Sequence, residues 1–417
     1  MCRESVGEGV ARVRDEVRAR SPRDREAMRV LVLTGTRPEL IKTASVVHAL
    51  EASGCEVFLV HSGQHVAAIS DLCQFLEVRP HASVNLGPRG PKLAELSARL
   101  LARLDPIVTE VAPDALVVQG DTTTAFVGAL LGFYHKVPVA HVEAGLRSGD
   151  ADEPFPEEMN RRLITRMATW HFAPTPLAVA CLRKEGVPLK AITMTGNTVV
   201  DAVQFGYDRI EAQAERRQSG AGRLIIVTAH RRENWGAGIN EIGRAMRRVV
   251  ERFPDVVVLW PLHPNPEVAT AVKAIWRDLP ADARGRVSLS RPLTYPHMLR
   301  ALSGAWLVVT DSGGLQEEAA STHVPVLIAR RQTERPEVVS CGAGRLVGAD
   351  ARRIEAEIVR LYRSPQKWEA MRSARSPFGD GTAGRRIAAV LTRAWRGSAI
   401  SMPRRGGTGR TRRVVAS

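Results

Sequence analysis

Short apolar runs recur along this chain, each closed by a turn signal and followed by a helical pattern. They lie at 30–33, 57–60, 115–118 and 137–142, and again at 224–227, 256–260, 306–309 and 324–328. Strands that alternate with helices need parallel sheets with right-handed crossovers, because a parallel neighbour is reached only through a long connection. The runs form two sets, separated by a charged helical stretch at 207–223, so the expected class is α/β with two Rossmann-like domains. The expected boundaries are a charged extension at 1–27, an N-terminal domain at 28–198 and a C-terminal domain at 199–379. A terminal helix at 380–397 then returns to the first domain, and a basic disordered tail occupies 398–417.

A length of 417 residues suits two domains. Hydrophobic residues at 44% and charged residues at 25% are ordinary for a soluble enzyme. No apolar run approaches the roughly 20 residues that span a bilayer, and the charged N-terminus has no secretory apolar core. A cytoplasmic location is expected. The five cysteines are scattered without a CxxC pair, which suits free thiols. The net charge of +15 comes with 52 arginines and only 7 lysines, a compositional bias toward arginine, and the segment 396–417 alone carries six arginines and no acid. A solvated tail explains that segment, and nucleic acid is not expected as a partner.

In an open parallel sheet, ligands bind beyond the carboxyl ends of the strands, so the residues that follow each strand are informative. After 30–33 comes TGTRPELIK, in which Gly35 allows a tight turn and Pro38 suits a first helical turn. The amides of that helix start favour an anion, and Arg37 and Lys42 add positive charge. After 306–309 comes TDSGGLQEE. Gly313 and Gly314 let the backbone approach a phosphate, Ser312 can donate to it, and Glu318 suits ribose hydroxyls. No GxGxxG follows the first strand and no GxxxxGK[ST] occurs, so NAD and ATP are disfavoured and no cofactor is expected, while a nucleoside-diphosphate sugar fits.

A carboxylate series supplies the chemistry. Asp121 follows 115–118 in QGDTTT, Glu143 ends the next strand in HVEAGLR, and Glu157 opens a helix in PFPEEMNR. Convergent carboxylates raise one another's pKa and so provide a general acid and a general base. His230, in TAHRREN after 224–227, stands beside two arginines and suits a diphosphate. The i, i+4 histidines of HSGQH lack the glutamate of a zinc helix, and no metal is expected. No GxSxG nucleophile elbow is present.

Taken together, VLTGTRPELIK, GDTTT, HVEAGLRSGD, PFPEEMNR, GNTVVDA, TAHRREN and TDSGGLQEEA…TERPE resemble the non-hydrolysing UDP-N-acetylglucosamine 2-epimerases, in one order from about residue 29 to about residue 395. The resemblance implies the GT-B fold, with two domains facing across a cleft, and interconversion of UDP-N-acetylglucosamine and UDP-N-acetylmannosamine without NAD or metal. It assigns UDP binding to Arg37, Lys42, His230, Ser312, Gly313, Gly314 and Glu318. It assigns catalysis to Asp121, Glu143, Glu157 and His230, through anti elimination of UDP to 2-acetamidoglucal and re-addition to the opposite face. A homodimer is expected. Three positions depart from the family pattern: Thr294 replaces Asp in the PLDY segment, Arg331 replaces Asp in RDTTERPE, and Val66 replaces Arg after Gln64 and His65, the segment that holds an activating second nucleotide sugar in bacterial members. The rival readings are a hydrolysing epimerase and a glycosyltransferase of the same fold.

Overall fold

The computed structural model describes residues 27–63, 69–84, 86, 92–213, 222–231, 234–263 and 265–401. Gln64, His65 and Val66 lie outside the described residues, as do the first 26 and the tail beyond 401.

Strand–helix alternation produces two sheets, parallel in every described pairing. The first joins β1 (Arg29–Thr34), β2 (Glu56–His61), β3 (Ala82–Ser83), β4 (Ala115–Gln119), β5 (Val139–Val142), β6 (Trp170–Ala173) and β7 (Ile192–Met194) in the order β3-β2-β1-β4-β5-β6-β7. The second joins β8 (Arg223–Thr228), β9 (Val256–Pro261), β10 (Val287–Ser290), β11 (Ala305–Thr310), β12 (Val326–Ile328) and β13 (Gly344–Leu346) in the order β10-β9-β8-β11-β12-β13. Both orders reverse direction beside the first strand of their set, which opens a crevice at the carboxyl edge of each sheet.

Helices cover both faces, so the central strands are apolar throughout. Side chains alternate across a strand. Val30 and Val32 therefore enter one core with Leu40, Val47 and Leu50, while Leu31 and Leu33 enter another with Leu100, Leu104 and Val127. In the second sheet Ile225 and Val227 pack with Ile239, Met246 and Trp260. Ile226 points the other way, into the core that also holds Val30 and Val32, so one apolar cluster runs through both halves.

Two helices tie the halves together. The helix Thr198–Gln213 packs on the first-sheet helix Arg37–Ala52 and on the second-sheet helices Tyr295–Ser303 and Gly313–Ser321. The last helix, Ala383–Ser401, returns to lie on Arg37–Ala52. Its start is fixed by Asp201, whose carboxylate accepts the amides of Ala383 at 3.2 Å and Gly384 at 2.8 Å. Among the described residues no helix is long and apolar enough to cross a membrane.

Candidate active site

The carboxyl edges of β1, β4, β5, β8 and β11 converge on one cavity of about 430 Å³, within the range of small-molecule sites. Arg37, Lys42, Asp121, Glu143, His230, Ser312, Gly314 and Glu318 all line it. Gly313 sits one step back, where an added Cβ would meet the Arg335 guanidinium at 3.4 Å. Glu157 does not line the cavity. It opens the helix Glu157–Met167, near enough to Asp121 that the Asp121 charge acts on it.

Two details of the turn after β1 go beyond its sequence reading. Gly35 is not left-handed; it is needed for space, because a Cβ there would lie 2.2 Å from Thr124 Oγ1 and 2.7 Å from Ser62 Oγ. The amides of Gly35, Thr36 and Glu39 at this helix start are also already engaged. Thr36 and Glu39 form a capping box, in which Glu39 accepts from the amides of Thr36 at 2.7 Å and Gly35 at 3.1 Å. Burial pushes Glu39 up to about 7, opposed by these bonds and by one from Thr122 at 2.7 Å. Side chains therefore matter more for holding an anion there. Arg37 supplies one and already reaches over the cleft, donating to the Leu293 carbonyl at 3.2 Å.

Lys42 points inward instead. Its ammonium bonds Glu143 and lies 2.7 Å from Glu317. Arg335 closes the ring, 2.7 Å from Glu317 and 3.4 Å from Glu143, while Gln119 donates to Glu143 at 3.0 Å. Glu143 takes a left-handed φ of 65°, an uncommon choice for a residue with a Cβ, and this aims its carboxylate back across the edge of β4. Burial raises the proton affinity of Glu143, with the Glu317 charge adding to it and Lys42 and Arg335 opposing. Glu317 shifts the other way: burial raises it, but the two cations outweigh burial and hold it ionised.

Asp121 is held from the helix Glu157–Met167. Arg161 donates to it through Nε at 2.8 Å and approaches through Nη2 at 2.6 Å, and Asn160 donates to its backbone carbonyl at 2.8 Å. Burial, with Asp121 adding, raises Glu157 above the usual carboxylate range. In the second half, Asp311 is fully buried and collects donors: the amides of His230 and Arg231, and Asn234 Nδ2 at 2.9 Å. His230 Nδ1 lies 3.2 Å from Asp311 Oδ1, which leaves Nε2 for the cleft. Burial lowers the His230 pKa, opposed by the Asp311 charge. Burial also pushes Glu318 up to about 7, opposed by Arg37. A carboxyl titrating there can donate or accept toward a hydroxyl beside a diphosphate.

The motif reading assigned no role to Arg335, Glu317, Gln119, Asp311 or Arg161. All five stand inside the quoted motifs: Gln119 in QGDTTT, Arg161 in PFPEEMNR, Asp311 and Glu317 in TDSGGLQEE, and Arg335 in TERPE.

Two facing parallel α/β units, with basic groups and carboxylates meeting across a cavity, define an enzyme of the GT-B architecture that works on a nucleotide-linked substrate. Comparison with known proteins gives the particular family. Residues 48–392 match the UDP-N-acetylglucosamine 2-epimerase family. The UDP-N-acetylglucosamine 2-epimerase of Salmonella typhimurium is 39% identical over 374 residues, covering 87% of this chain and 98% of the relative. That of Bacillus subtilis is 38% identical over 365 residues, covering 87% and 95%. The solved structure of the Neisseria meningitidis UDP-GlcNAc 2-epimerase, bound to UDP-GlcNAc, superposes with a TM-score of 0.82 at 34% identity, covering 88% of this chain and 100% of that one. The chain belongs to the UDP-N-acetylglucosamine 2-epimerase family, and it is an epimerase of sugar nucleotides.

Proposed function

We propose that this chain interconverts UDP-N-acetylglucosamine and UDP-N-acetylmannosamine without net hydrolysis. The observation that carries the reading is the placement of Asp121 and Glu143 on one side of a cleft whose other side offers His230, Ser312, Gly314 and Glu318, with Glu157 off the cavity but close to Asp121. The proton at C2 beside an N-acetyl group is not acidic, so its removal must accompany cleavage of the C1–O bond. A carboxylate takes the C2 proton, the C–H pair becomes the C1=C2 double bond of 2-acetamidoglucal, and the C1–O pair leaves with UDP. Re-addition returns the UDP oxygen to C1 and a proton to the opposite face of C2, so water is neither consumed nor released. UDP must stay bound throughout, which requires donors placed where charge builds on its oxygen. Arg37, Lys42, His230, Ser312 and the amides of Gly313 and Gly314 fill that role in this reading, with Glu318 on the ribose.

Phosphorus and proton NMR of the purified protein with UDP-N-acetylglucosamine alone tests this. The expected product keeps its anomeric phosphate. Accumulation of free N-acetylmannosamine and UDP would establish the hydrolysing reaction instead, and a requirement for an acceptor would establish glycosyl transfer.

The cradle can be tested separately. Arg37→Ala should weaken UDP binding by about 1.5–3 kcal/mol, the range for a hydrogen bond to a charged group. Titration calorimetry reads this directly, and unchanged affinity would remove Arg37 from the diphosphate.

A further inference from the structure

Four buried charges meet across the cleft floor: Lys42 and Glu143 from the first half, Glu317 and Arg335 from the second, with side chains 8%, 5%, 1% and 9% exposed. Desolvating four ions is costly, and a buried network of this kind is weak evidence for stability on its own. Three of the four line the cavity. Glu317 does not: it lies wholly behind the other three, and its ion-pair partners are Lys42 and Arg335.

We propose that Glu317 is a positioning residue that couples nucleotide binding to the proton affinity of Glu143. Without nucleotide, Lys42 is shared between the two carboxylates and damps Glu143 as a base. When a diphosphate enters the cleft, Lys42 turns to it, and Glu143 is left beside a negative Glu317 that is still locked to Arg335. Glu143 then becomes the stronger base only once the leaving group is in place, which protects the cleft from idle proton transfer. The charged groups facing Glu143 are Lys42 from the helix Arg37–Ala52, Glu317 from Gly313–Ser321 and Arg335 from the start of Pro336–Ser340; Gln119 from β4 is neutral. This inference rests on the proposed epimerase reading, in which Glu143 handles the C2 proton.

The sign of the effect follows from charge. Glu317→Gln removes a negative neighbour, so Glu143 loses its proton more easily and becomes a weaker base. The site also becomes more positive, which favours UDP. The expected result is a fall in kcat of about tenfold or more, within the range of general-base effects. The acid limb of the kcat–pH profile should move to lower pH, and UDP affinity should be unchanged or tighter. Glu317→Asp keeps the charge and should return the acid limb to its wild-type position.

Solvent exchange at C2 measured across pH, with UDP calorimetry on each variant, gives the readouts. Loss of UDP affinity together with turnover, at an unmoved acid limb, would reduce Glu317 to a structural support and overturn the proposal. So would an unchanged rate and profile. A wild-type protein with no C2 exchange would instead overturn the epimerase reading beneath it. If Glu317→Gln does not fold, the UDP complex of the wild-type protein decides. Lys42 Nζ on a diphosphate oxygen, with Glu317 still on Arg335, is the expected structure. Lys42 retained on Glu143 contradicts it.

Discussion

Replacing Asp121, Glu143 or Glu157 by its amide should slow turnover by about 100-fold or more, the range for loss of a general acid or base. Each amide keeps the size of the side chain and removes its capacity to take a proton. UDP affinity should change far less, because these groups face the sugar in the proposed reading. The surroundings refine the expectation for each. Glu143→Gln also frees Lys42 from a buried partner, so UDP affinity should hold or rise in that variant. Asp121→Asn leaves Arg161 on Glu158 alone, at 3.1 Å, so some loss of thermal stability should accompany the loss of rate. Glu157 lies off the cavity, and its variant tests whether a group beside Asp121 takes part in the chemistry. Steady-state rates with calorimetry on the same preparations check all three. A variant with near wild-type turnover would remove its residue from proton transfer.

Asp311→Ala should destabilise the fold by about 3–5 kcal/mol, the cost of breaking a buried charged cluster by removing one partner. Asp311 is fully buried and accepts from the backbone of His230 and Arg231 and from Asn234. Truncation leaves the His230 and Arg231 amides without this acceptor and Asn234 with the Ala329 carbonyl, and each unsatisfied donor is costly. It also releases His230 Nδ1, so the imidazole loses its orientation toward the cleft. Urea denaturation monitored by tryptophan fluorescence reads the stability, since Trp260 lies in the core of this half. A shift of less than about 1 kcal/mol would show that the loop carrying His230 is held by other contacts.

The fold was readable where strands are long and apolar. All eight apolar runs became strands, because central parallel strands are buried on both faces and must be rich in Val, Ile and Leu. Five strands escaped notice. β3 has two residues, β7 and β13 have three, and β10 reads VSLS at a sheet edge, where one side remains exposed and polar residues are tolerated. β6 reads WHFA and carries the buried His171, whose pKa burial drops to about 4, so its apolar signal is broken by a ring that stays neutral inside.

The site was legible in its acids and not in the groups that hold them. Asp121, Glu143 and His230 follow strands, and a strand end is visible in local sequence. Arg335 meets Glu143 across 192 positions, and Asp311 meets the His230 amide across 81. No periodicity within a window encodes such pairs: the first arises when two sheets close on one cleft, the second when β8 and β11 pair within one sheet. The capping box of Thr36 and Glu39 was legible in its T-x-x-E spacing, and it occupies the Thr36 and Glu39 amides at that helix start.

The most direct test of the account is the fate of the C2 hydrogen in deuterated water. If the carboxylates act by elimination and re-addition, the C2 proton passes through a group that exchanges with solvent. Incubation with UDP-N-acetylglucosamine should therefore place deuterium at C2 of both UDP-sugars while the anomeric phosphate bond survives in each. An epimerised product that keeps its original hydrogen at C2 would contradict the mechanism.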